Sequence, residues 1–162
     1  MVSLAKQPVK KLLGYAIRAE ADSNRAYTRM ADRVKNALLK EKFELLALEE
    51  KKHRDIFLRL FASMWGGQKP EVPKSVDKRL LPAVSIKPSS TLADILSQAM
   101  NAEKSAREFY ASVAKKLLAP NKQMLLYLSQ VENSHYLMLR GEYIMALQFE
   151  DYAEKDIDKV IT

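Results

Sequence analysis

Leu39, Phe43, Leu46, Glu50, His53, Phe57, Leu60 and Met64 keep the three–four spacing of one helical face, yet two members of this apolar stripe are ionisable. Leu125, Leu128, Glu132, His135, Leu139 and Ala146 repeat the pattern, again with a Glu-x-x-His insertion. A carboxylate and an imidazole turned into an apolar interior lose their hydration, so they are tolerated there only when paired, neutralised or bound to a cation. Any fold open to this chain must bring partners to these four positions. That restriction is tighter than anything its composition imposes.

Two further stripes precede these. Leu13, Ile17, Glu20, Asn24, Tyr27, Ala31 and Val34 form one helical face. Leu92, Leu96, Ala99, Glu103, Ala106, Tyr110, Val113 and Leu117 form another, after a Thr91–Asp94 capping box. A short turn is expected over Val34–Leu38 and a second at Ala119–Pro120–Asn121. Between the pairs, residues 66–90 hold Gly66–Gly67 and four of the six prolines, Pro70, Pro73, Pro82 and Pro88, and read as a long connection. Phe149–Ile161 is a candidate short fifth helix.

The halves repeat one another. "AIRAEADSNRAYTRMA" (Ala16–Ala31) aligns with "AMNAEKSAREFYASVA" (Ala99–Ala114), matching Glu20 to Glu103 and Tyr27 to Tyr110. After a one-residue slip in the turn, Glu50 matches Glu132 and His53 matches His135. Two such helix hairpins make a four-helix bundle, and docking the second on the first requires a connection running along the bundle. The fold class is therefore all-α, a single domain over residues 1–162, with 66–90 as the crossover.

In each hairpin the upstream glutamate lies about as far before the turn as the Glu-x-x-His lies after it, so an antiparallel pair sets them at one level. Glu and His three apart share a helical face. Glu20, Glu50, His53, Glu103, Glu132 and His135 can thus converge on one small volume. Four carboxylates gathered in a core would repel one another and take up protons, whereas two divalent cations cancel their charge. A glutamate-rich site with one imidazole per cation suits iron or manganese, and known di-iron and di-manganese bundles use this ligand pattern. A lone Glu-x-x-His is a weak signal, but here both of the chain's histidines follow a glutamate by three. Tyr27 and Tyr110 lie two helical turns beyond Glu20 and Glu103. A buried phenol there could bond a carboxylate of the cluster, or be a core aromatic whose hydroxyl reaches the surface. Met30, Met64, Met100, Met124 and Met138 read as core filler.

Composition removes other classes. The chain has no cysteine, which excludes disulfides, iron–sulfur clusters and thiol catalysis. The formal charge is +7. Lys10–Lys11, Lys51–Lys52 and Lys115–Lys116 are dispersed pairs without a groove-reading motif, so a solvated surface is expected, with no nucleic-acid partner. No apolar run is long enough for a signal peptide or a membrane span, and a cytoplasmic protein is expected.

The set Glu20…Glu50-x-x-His53…Glu103…Glu132-x-x-His135 resembles the ferritin-like superfamily, most closely the rubrerythrin-type di-iron carboxylate proteins, over about residues 8–148. The resemblance implies two iron ions, or manganese or a mixed pair. Glu50 and Glu132 would bridge them, Glu20 and Glu103 would be terminal ligands, and His53 and His135 would each cap one. It implies reduction of peroxide or dioxygen, and a homodimer. Rubrerythrins usually carry a cysteine-ligated rubredoxin-like domain, which this chain lacks, so an external donor such as a rubredoxin is expected. They also tend to carry an extra glutamate that corresponds here to Ala106. Two other readings share the site. Iron storage of the bacterioferritin type would place a haem-binding Met near the Glu-x-x-His, where this chain has Lys51 and Lys52, so no haem is expected. A redox-inert metal site in a scaffold protein is the third.

Overall fold

The computed structural model describes residues 4–149 and 151–154. After a 3-10 turn at Leu4–Lys6 come four helices: α1 (Val9–Arg33), α2 (Ala37–Met64), α3 (Leu92–Ala114) and α4 (Asn121–Gln148). Among the described residues there are no strands. α1 packs along α2 and α3 along α4, and the two hairpins meet through α1 against α3 and α2 against α4. Among the described residues no helix is long and apolar enough to cross a membrane.

The helix boundaries follow local chemistry. Asn36 caps α2, its side chain accepting from the Leu39 amide at 3.0 Å. Thr91 and Asp94 form the expected reciprocal capping box on α3, with both bonds at 3.1 Å. α2 stops where Gly66 and Gly67 adopt φ of 58° and 79°, and the Gly67 amide returns to the Ala62 carbonyl at 2.8 Å.

The crossover runs along the face shared by α1 and α3. At one end it presses so closely on α1 that a Cβ at Gly14 would stand 2.3 Å from the Glu71 carbonyl oxygen. At the other end the Arg33 guanidinium donates to the Lys87 and Ser90 carbonyls, both at 2.7 Å. Midway, Leu81 is buried in the core. A glycine inside a helix costs about 1 kcal/mol against alanine, and at position 14 that cost secures the seat of the crossover.

The core is not continuous. Leu12, Leu13, Ile17, Phe57, Phe61, Val113, Leu125 and Leu128 belong to one apolar block. Met30, Leu39, Phe43, Leu46, Ile95, Leu96 and Leu139 belong to another. Along every helix the ionisable residues fall between the positions that feed the two blocks, so a polar layer crosses the middle of the bundle. Met30 joins the core as expected, whereas Met124 is exposed in the first turn of α4.

The candidate fifth helix is not seen where it can be judged. Residues 151–154 form turns, and the Ala153 carbonyl accepts from the Lys35 and Asn36 amides at 2.8 and 3.1 Å. Tyr152 is buried beneath them. These tertiary bonds draw the segment onto the α1–α2 link instead of leaving its carbonyl for a helical partner. Residues 155–161 of that expectation lie outside the described residues.

Candidate metal centre

Each helix delivers one or two groups to the polar layer: Glu20 from α1, Glu50 and His53 from α2, Glu103 from α3, Glu132 and His135 from α4. All six are at most 5% exposed. They form two overlapping quartets, Glu20–Glu50–His53–Glu132 and Glu50–Glu103–Glu132–His135, each offering ligand atoms within 4.8 Å of one another. Glu50 and Glu132 belong to both. The sequence spacing therefore brings together every residue it singled out, and each quartet draws on both hairpins.

The contacts inside the layer are close without being hydrogen bonds. His53 Nδ1 lies 2.9 Å from Glu132 Oε1, 3.7 Å from Glu20 Oε2 and 3.8 Å from Glu50 Oε1. His135 Nδ1 lies 3.1 Å from Glu50 Oε1 and 3.6 Å from both Glu103 Oε2 and Glu132 Oε2. Yet Glu20 Oε2, Glu50 Oε1, both Glu132 oxygens and both Nδ1 atoms are buried without an aligned hydrogen-bond partner among the described residues. Such orphans are rare and costly in a folded protein. Atoms aimed at a common centre rather than at one another fit cation ligation. Donors about 2.1 Å from an octahedral ion stand about 3 Å from their neighbours, close to the separations found here. The two imidazole rings lie nearly parallel, at 13° with centroids 5.6 Å apart.

The tyrosines tie the layer across the hairpins. The Tyr27 hydroxyl of α1 donates to Glu103 Oε1 of α3, and the Tyr110 hydroxyl of α3 donates to Glu20 Oε1 of α1. Glu20 and Glu103 thus each have one oxygen held by a phenol and the other turned toward a histidine. The phenols are buried rather than reaching the surface.

Electrostatics follow from this crowding. Burial, and then the charges of Glu20, Glu132 and Glu103, push the Glu50 carboxyl well above its ordinary range. Burial with Glu103 and Glu20 does the same to Glu132. Burial would raise Glu103 too, but its close contacts with Glu132 and His135 and the Tyr27 hydroxyl outweigh it and lower this group. Burial opposes both imidazolium ions, but the carboxylates prevail: Glu20 and Glu50 raise His53, and Glu103, Glu132 and Glu50 raise His135 far more strongly. Burial and adjacent carboxylates raise both tyrosines.

Three features escape the spacing argument. Glu49 accepts the Nε2 proton of His135 at 2.6 Å from the edge of the layer. Its only trace in the sequence is a second glutamate directly before Glu50. Glu142 is a further buried carboxylate, neutralised by Lys42 and bonded by the Tyr152 hydroxyl, so it is already satisfied away from the layer. A cavity of about 110 Å³ between α1 and α3 reaches Glu50 and Tyr110, with walls that include Ala19, Ala102 and Ala106 and a roof from crossover residues 75–83.

The family model for rubrerythrin matches residues 11–143. A hypothetical protein from Pyrococcus furiosus superposes with a TM-score of 0.79 at 33% identity, covering 90% of this chain and 94% of its own. A protein from Thermotoga maritima, described as ferritin-like and diiron-carboxylate, superposes with a TM-score of 0.69 over 85% of this chain and 95% of its own. At 20% identity that second likeness concerns the fold. Comparison with curated proteins gives no match.

Proposed function

The chain belongs to the rubrerythrin family, and on that premise we propose that it is a di-metal oxidoreductase that reduces peroxide or dioxygen at the polar layer. The observation that carries this is the pair of buried quartets sharing Glu50 and Glu132. In this reading Glu50 and Glu132, common to both quartets, would help hold both cations, with Glu20 and His53 completing one position and Glu103 and His135 the other. Four carboxylates and two neutral imidazoles favour iron, with manganese as the nearest alternative. Bound as a ferrous pair, the iron would supply the two electrons that convert hydrogen peroxide and two protons to two water molecules.

The protein's own groups supply position and shielding. Tyr27 and Tyr110 fix the rotation of Glu103 and Glu20 so that one oxygen of each stays turned inward. The apolar blocks on either side exclude bulk water. The cavity beside Glu50 has room for a small oxidant and none for a large organic substrate. Ala106, at the position where rubrerythrins tend to carry the extra glutamate, adds to this space instead of filling it. With no cysteine in the chain, electrons would come from a separate donor such as a rubredoxin.

The test is anaerobic loading with ferrous iron followed by less than one equivalent of peroxide. Consumption of the peroxide with an oxidation-linked absorbance change, reversed by a reductant, supports the proposal. Iron-loaded protein that leaves peroxide intact and shows no such change overturns it.

A further inference from the structure

The two halves of the centre are related by the internal repeat, and beside one of the two histidines the repeat fails. Glu20 answers to Glu103, Tyr27 to Tyr110, Glu50 to Glu132 and His53 to His135. The residue before Glu50 is Glu49, whereas the residue before Glu132 is Val131. Glu49 reaches from α2 to α4 and accepts from His135 Nε2 at 2.6 Å. The equivalent reach, from α4 to His53 on α2, would fall to Val131, which has no acceptor. His53 makes its contacts with Glu20, Glu50 and Glu132 through Nδ1, and no hydrogen bond joins its Nε2 to another described residue.

That difference acts on the ring as a ligand. With its Nε2 proton held by a carboxylate, His135 is fixed in the tautomer whose Nδ1 lone pair faces Glu50, Glu103 and Glu132. The carboxylate also raises the basicity of the ligating nitrogen. His53 has neither constraint, so its ring pays more orientational entropy on binding and its nitrogen is the weaker donor. Glu49 itself stands at the edge of the layer, with a side chain 36% exposed.

We propose that Glu49 is a positioning residue that makes the two cation positions inequivalent, so that the quartet of Glu50, Glu103, Glu132 and His135 fills first and holds its cation more tightly. This rests on the metal-centre reading above and adds an order of filling to it. The centre then has a resident cation on the α3–α4 side and a more exchangeable one on the α1–α2 side.

The test uses metal-free full-length protein and cobalt(II) or manganese(II) as the probe. Crystals grown with half an equivalent per position should give anomalous density beside His135 and little beside His53. A cobalt titration followed by visible absorbance should resolve two steps. Glu49→Ala should weaken the tighter step about 10- to 100-fold and even out the two anomalous peaks. Glu49→Gln retains an oxygen that can accept the Nε2 proton but lacks the charge, and should fall between wild type and Glu49→Ala. Equal peaks in the wild type, or an order of filling unchanged in Glu49→Ala, overturn the inference while leaving the metal centre intact. Failure of either probe to bind at all would overturn the metal-centre reading, and this inference with it.

Discussion

Removing and restoring the cations should change stability by an amount that depends on pH in a definite direction. A ligand that binds only the folded state at about 100 times its Kd adds about 2.7 kcal/mol. Two quartets make that about 5.4 kcal/mol. For a chain of 162 residues, each kcal/mol moves Tm by about 2–4 °C, so full loading should raise Tm by about 10–20 °C. The pH dependence comes from the protons that the cations displace. Glu50 and Glu132 have raised values in the metal-free fold. Above the unfolded carboxyl value of about 4.3 the fold therefore holds protons that the unfolded chain has released, and its stability falls as pH rises. His53 and His135 are raised as well. Their contribution is complete below the unfolded imidazole value of about 6.5 and is lost as pH climbs through the folded value. Glu103 runs the other way, being lowered, but its effect lies in the acid range, where falling pH protonates it. Between pH 5 and 8 the metal-free protein should thus lose stability. Metal binding needs unprotonated ligands, so the gain from loading grows by about 1.4 kcal/mol per pH unit for every proton displaced. Scanning calorimetry of the manganese-loaded and stripped protein at pH 5.5 and 7.5 reads both slopes. A Tm indifferent to metal, or a gain from loading that is larger at pH 5.5, would refute the reasoning.

Other outcomes follow from the same geometry. Glu132→Ala removes a group common to both quartets and should reduce bound metal toward zero. Glu20→Ala touches one quartet only and should leave about one cation per chain, as read by elemental analysis after dialysis. Tyr27→Phe and Tyr110→Phe each strip a donor from a buried carboxylate and should cost the metal-free protein about 1–3 kcal/mol in urea unfolding. Gly14→Ala drives a Cβ against the Glu71 carbonyl and should cost about 1–3 kcal/mol. Cleavage within residues 66–90 by a dilute protease should become faster, while metal content stays as in the wild type.

Much of this arrangement is legible in the sequence because one signal serves two purposes. The three–four spacing that places Leu46 and Phe57 in the core also places Glu50 and His53 there. The matched distances around each turn bring Glu20 level with Glu50 and Glu103 level with Glu132. What the spacing cannot express is how one hairpin meets the other. The crossed bonds, Tyr27 to Glu103 and Tyr110 to Glu20, depend on the α1–α3 contact, for which no local pattern speaks. Glu49 was hidden for a related reason, since on its own helix it reads as one more outward charge. At residues 151–154 turns stand where a helix was expected because Ala153 is engaged by backbone groups more than a hundred positions away in the chain, and helical periodicity carries no record of that.

The division of ligands between the hairpins has a last consequence. Each quartet has members on both sides of the 66–90 crossover, so cations held there would join the same two pieces that the peptide chain joins. Were the crossover severed, the fragments would still share a reason to associate, and that reason could be switched on with metal and off with a chelator. With metal bound, the covalent link would act as a tether that raises the local concentration of one hairpin around the other, and the inorganic link would add to the apolar surface on which they meet.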